Sequence, residues 1–187
     1  MLDNGAFSKF TKGKPTDWPA FYEWCDRWLD HPNTWAVIPD VIDAGSQEQD
    51  ALLREWPHGQ RGAPVWHSDE PLDRLLRLTD EWPRVCIGST GEHWRVLSDA
   101  WRARMDEAFN AVAQRHARMP WLHMLRGMQL SGMEWPFASA DSTDVAQNHN
   151  RPHNTARAMA DRWDAAQCPP RWPGRHPHPE LFEGAAA

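Results

Sequence analysis

Short apolar runs alternate along this chain with longer stretches whose apolar residues recur every three or four positions. The runs read as strands covered on both faces, the longer stretches as amphipathic helices. Six strand-like runs stand out: residues 2–7, 34–40, 63–67, 84–88, 121–127 and 137–140. After the first, residues 8–15 read as a loop carrying Lys9, Lys12 and Lys14. Thr16, Asp17 and Pro19 then start a helix to about Leu29, with Phe21, Trp24, Cys25 and Trp28 on one side. Ser46 and Gln49 have the spacing of a capping box, opening a helix to about Trp56. Asp69, Glu70 and Pro71 open the next, whose apolar face is Leu72, Leu75, Leu76 and Thr79. Ser98 caps the longest, to about Met119, with a stripe of Trp101, Met105, Ala108, Phe109 and Val112. Residues 154–166 form a last amphipathic helix, and from Cys168 the chain turns Pro-rich.

Strand–helix alternation with short connections implies an α/β protein with a parallel sheet and helices outside. Two architectures satisfy it. One is a TIM-like (β/α) barrel, trimmed or incomplete at six visible units; the other is an open doubly wound sheet. No GxGxxG or GxxxxGKS/T follows any strand, which counts against the common nucleotide-binding open sheets. Residues 1–167 are expected to form a single barrel-like domain and 168–187 a Pro-rich C-terminal tail, packed or mobile.

Composition narrows the function classes. The 187 residues suffice for one domain with a sizeable core, and 41% hydrophobic with 25% charged is a globular profile. The 13 Trp read mainly as packing residues, some lining clefts. Cys25, Cys86 and Cys168 are scattered, with no disulfide framework, which suits a reducing cytoplasm. No signal-like leader is evident, and no apolar run approaches the roughly 18 residues of a membrane span, so a cytoplasmic protein is expected. Net charge is −6. A basic footprint for nucleic acid is at best local, in arginines such as Arg102, Arg104, Arg115, Arg126 and Arg151, or these are ordinary solvated helix faces.

The strand ends carry the candidate chemistry: Asp3 with Gly5, Asp40 with Asp43, His67, Gly88 with Ser89, Arg126 with Gly127, and Asp141 with Ser142. In a barrel these ends converge on one face, where active sites lie. Each Asp taken alone also suits a helix cap or turn. Several carboxylates and a His around one pocket point to acid/base and nucleophilic chemistry at an electrophilic carbon. A zinc site from His149, His153, Cys168, His176 and His178 matches no compact ligand spacing, and no GxSxG elbow exists.

Three short motifs occur in order: LDNGAFS from Leu2, PVWH from Pro64 and SADSTD from Ser139. Together, over roughly residues 2–150, they resemble the tRNA-guanine transglycosylases, and more closely the short phage and bacterial relatives that insert 7-deazaguanine bases into DNA. That resemblance implies a TIM barrel exchanging guanine in a polynucleotide, DNA rather than tRNA, for a 7-deazaguanine base, without a cofactor or metal. It implies Asp141 as the nucleophile on the sugar C1′ and Asp3 as general acid/base. It implies Asp40, His67, Gly88, Phe7 and Ser142 around the base, Asp40 accepting from the guanine edge and Phe7 stacking. Asn4 stands where the family has Ser, the zinc-binding insertion is missing, and six strands fall short of eight. A homodimer or partner subunit would cover the open sheet edges. Two other readings remain: a catalytically inactive barrel that binds nucleic acid or a partner enzyme, and a nucleoside or glycoside hydrolase using the same Asp pair with water as acceptor.

Overall fold

Six chain segments lie side by side, all parallel, in the order in which the sequence presents them. The structure, a computed structural model, describes residues 1–175. Leu2 bridges to Ala36 of β1 (Ala36–Val37), and β1 pairs with β2 (Gly62–Ala63). The strands β3 (Val65–His67), β4 (Arg84–Gly88), β5 (Trp121–Met124) and β6 (Ser139–Ala140) follow in a four-stranded sheet. β2 and β3 are one run of chain broken at Pro64, which has no N–H to give to the ladder. The two ladders still abut there: Ile38 N–H donates to the Ala63 carbonyl at 2.9 Å and Cys86 N–H to the Pro64 carbonyl at 2.8 Å.

Seven α-helices occur among the described residues: α1 (Ala6–Thr11), α2 (Trp18–Asp26), α3 (Ser46–Glu55), α4 (Leu72–Glu81), α5 (Asp99–Arg115), α6 (Asp144–Asn148) and α7 (Ala156–Asp164). The architecture is therefore α/β with parallel sheets, as the alternation implies. Side-chain caps start three of the helices: Asp17 accepts from Ala20 N–H, Ser98 from Trp101 N–H and Thr155 from Ala158 N–H. All five residues of the expected α5 stripe are buried.

The helices cover one face of the sheet. Val85, Ile87, Leu122 and Met124 pack there with Leu75 and Leu78 of α4 and Trp101, Met105 and Phe109 of α5. Ala36 and Ile38 pack beneath Phe21 and Cys25 of α2. The opposite face packs on itself: Trp35, Val37, Ala63, Val65 and Cys86 form a cluster to which no helix contributes. This face is strongly curled. The Trp35 and His123 rings meet edge to face with centroids 5.1 Å apart. They flank β1 and sit on β5, which in a flat sheet would be separated by several strand spacings of about 4.8 Å. With the strands in sequence order, there is no switch point of the doubly wound kind.

Several expectations need correction. The first strand shrinks to Leu2, because Asp3 and Asn4 take the N–H groups of Gly5 and Ala6 with their own side chains. Gly5, at φ 74°, completes that turn, and Ala6 starts a helix that carries Phe7 where a strand and loop were expected. The capping box does not form. Gly45 precedes α3, Ser46 Oγ donates to Glu70, and the Gln49 amide turns inward to the Val41 backbone. The fifth strand stops at Met124, since Arg126 adopts a left-handed φ of 55°. Within the expected tail, Trp172 is buried on Phe109 and its indole N–H donates to Asn110 at 2.7 Å. The remainder of that tail lies outside the described residues.

A methyl group at Gly62 would stand 2.4 Å from Trp56 Nε1 and 2.6 Å from Ile38 Cγ1. Gly62→Ala is therefore expected to destabilise the fold by about 1–3 kcal/mol, as overpacking does. Thermal unfolding should show a lowered Tm; an unchanged Tm would contradict the packing described.

Candidate active site

The C-terminal ends of all six segments open into one small cleft. Asp3, Asp40, His67, Gly88, Arg126 and Asp141 all line it, one from the end of each segment. The three carboxylates sit in three different environments.

Asp40 is buried and closed in. Its Oδ1 accepts from Asn4 Nδ2 at 2.7 Å and its Oδ2 contacts His67 Nε2 at 2.9 Å. The Gln49 amide lies 3.3 Å from His67 Nδ1 and donates to the Val41 carbonyl with the same nitrogen. Gln49 thus presents N–H to Nδ1, which leaves the Nε2 proton to donate to Asp40. The second Asn4 amide proton goes to the Ile38 carbonyl at 2.9 Å. Buried polar groups are tolerated when hydrogen-bonded, and both oxygens of this carboxylate are.

Asp141 is half-buried at the end of β6. Its Oδ1 accepts the Arg126 backbone N–H at 2.8 Å and contacts His123 Nε2 at 3.3 Å. Its Oδ2 has no partner among the described residues. His123 is itself fixed by a chain of bonds: Trp121 Nε1–H donates to Ser139 Oγ at 3.0 Å, and that hydroxyl lies 2.8 Å from His123 Nδ1. The ring is thereby held with Nε2 facing Asp141. Burial works to raise the Asp141 pKa. The His123 and Arg126 hydrogen bonds and charges outweigh it and hold the carboxyl below the usual aspartate value.

Asp3 is exposed at the lip, its Oδ1 taken by Gly5 N–H at 3.1 Å. Phe7, 40% exposed, carries the Arg126 guanidinium 3.5 Å from its ring centroid. That cation is attracted by Asp141, Asp3 and Asp40 together. Beneath the floor, Cys86 is fully buried; burial, and then the charges of Asp40, Asp141 and Asp3, push its thiol well above the usual range, so it is no nucleophile. Gly88 is needed for space, because a Cβ there would lie 3.0 Å from His67 Cδ2.

Of the residues expected at the site, Asp3, Asp40, Asp141, His67, Gly88 and Phe7 come together. Ser142 does not line the cleft; its Oγ accepts Asp144 N–H at 3.0 Å within its own turn. Asn4 and His123 are the supporting side chains that the strand-end reading passes over. Their signal is modest: His123 is a polar residue at an inward position of an otherwise apolar strand. Among the described residues no three His, Cys, Asp or Glu side chains gather as a metal ligand set; His176 and His178 lie outside them. No helix among the described residues is long and apolar enough to cross a membrane.

Because its folded pKa is lowered, Asp141 contributes stability above its unfolded value of about 3.9, lost as pH falls through the folded value. His123→Gln is expected to move that titration upward. Carboxyl NMR of the two proteins checks this; an unmoved Asp141 would remove His123 from its support. Comparison with protein-family models, with curated proteins and with solved structures finds no match for the chain.

Proposed function

We propose that the chain is a base-exchange transglycosylase that replaces guanine in a polynucleotide with a 7-deazaguanine base through a covalent Asp141 glycosyl intermediate. One observation carries the reading: Asp141 has one oxygen tied down and the other bare, in a cleft it shares with a second, solvated carboxylate. The tied oxygen fixes the side chain, and the depressed pKa keeps it ionised at neutral pH. A carboxylate so held is a competent nucleophile at an oxocarbenium-like carbon.

Asp141 Oδ2 attacks C1′, the C1′–N9 bond breaks, and its electron pair leaves with the base. A proton reaches the departing base through Asp3, and the incoming base loses one through the same carboxyl. The new base then attacks C1′ and releases Asp141, so two inversions give net retention. Asp40 keeps one lone pair on each oxygen beyond its Asn4 and His67 bonds, enough to accept the N–H edge of guanine. Phe7 and Arg126 supply a stacked wall for the base, which must leave its own stack to enter.

The curled, in-order sheet is part of the same proposal. It supports a (β/α) barrel of six units, with the first and last segments placing Asp3 and Asp141 at one opening.

Incubation with labelled guanine and a guanine-containing DNA or tRNA should transfer label into the polymer. Asp141→Asn is expected to reduce the rate by at least about 10³-fold, the scale of losing a covalent nucleophile. Exchange that survives in Asp141→Asn would sink the mechanism. Release of free base from a nucleoside, with no polymer present, would indicate the hydrolase instead. Asp3→Asn is expected to slow exchange while leaving a denaturation-stable protein–polynucleotide adduct detectable by gel, since the nucleophile is intact.

A further inference from the structure

The cleft itself is a poor place for a polyanion: three carboxylates face one guanidinium there. What lies around its mouth differs. A second, wider hollow opens outward from the cleft and shares Phe7, Thr90 and Arg126 with it. Phe10 stands on one side of this hollow, 49% exposed, and Trp94 on another, 69% exposed. Neither ring is needed by the core clusters. All three lysines of the chain, Lys9, Lys12 and Lys14, fall within and just after α1, the helix that carries Phe10. They are exposed, and among the described residues every ion pair is made by an Arg or a His and none by a lysine. Asp43 and Asp69 also line the hollow, away from α1 in sequence and carrying the opposite sign.

Resting on the reading of the cleft given above, we propose that this rim binds an unpaired polynucleotide strand on either side of the target nucleotide. The phosphates track Lys9, Lys12 and Lys14, and neighbouring bases stack on Phe10 and Trp94. Unpaired lysines are available to replace phosphate counterions, and exposed aromatic faces accept any base without reading its edge. A duplex would bring phosphates but no free base faces, so the aromatic pair favours the single strand.

The test is fluorescence anisotropy with labelled DNA of about 12 nucleotides, single-stranded and duplex, over a range of salt. The wild type is expected to bind the single strand more tightly than the duplex. A triple Lys9→Gln, Lys12→Gln, Lys14→Gln variant should flatten the plot of log affinity against log salt by up to about 2, roughly 0.7 for each phosphate no longer neutralised. Phe10→Ala and Trp94→Ala should each weaken single-strand binding by about tenfold or more. These positions are exposed, and circular dichroism on each variant confirms the fold is kept. No saturable binding by the wild type, an unchanged salt slope in the triple variant, or equal binding of duplex and single strand would each overturn the rim. Guanine exchange measured on the same samples separates the two proposals. Exchange with rim-independent binding leaves the cleft reading standing; rim-dependent binding without exchange leaves the rim and removes the transglycosylase.

Discussion

The buried carboxylate of Asp40 is the constraint around which the strand ends are arranged. At 5% exposure it must be satisfied from within the protein, and it draws its partners from two other segments: Asn4 after Leu2 and His67 at the end of β3. Gln49 of α3 then holds the far side of the His67 ring. Removing one partner would leave a buried acceptor short of a hydrogen bond, a loss of about 1–3 kcal/mol in comparable sites. Three chain segments and a helix are thus locked in one arrangement by a single side chain. The lip residue Asp3, the turn at Gly5 and the placement of Phe7 all depend on it.

The opposite wall follows a different rule. Asp141 is not sealed in; it is supported from one side by His123 and the Arg126 backbone and left open on the other. Two Asp–His pairs therefore share one cleft with contrasting solvation. In the Asp40 pair both carboxylate oxygens are engaged by the protein; in the Asp141 pair one is spare, as the role proposed for it requires. Environment, more than identity, divides carboxylates into such roles.

Much of the fold was legible because burial enforces periodicity. The α5 stripe from Trp101 to Val112 and the limits of β4 follow from residues that have only one way to be buried. The beginning of the chain was harder to read. Leu2 to Phe7 looks like a strand, but Asp3 and Asn4 bond their own backbone and turn it, a local competition that hydrophobic pattern does not register. The Ser46–Gln49 spacing misleads for the converse reason: distant partners, Glu70 and His67, outcompete the helix end. At the site, strand-end position sufficed to find the carboxylates. His123, Asn4 and the Phe7–Arg126 stack are set by how far the sheet curls, a tertiary property with no short-range signature.

The contact between Trp35 and His123 has a consequence for how the molecule assembles. Each strand pairs with the next in sequence, so the ladder from β3 to β5 can grow by short loop closures. The Trp35–His123 contact, and the cleft that Asp3 and Asp141 both line, link segments far apart in that series and cost more chain-closure entropy. The cleft at the strand ends is therefore expected to open by local unfolding more readily than the helix-covered side of the sheet.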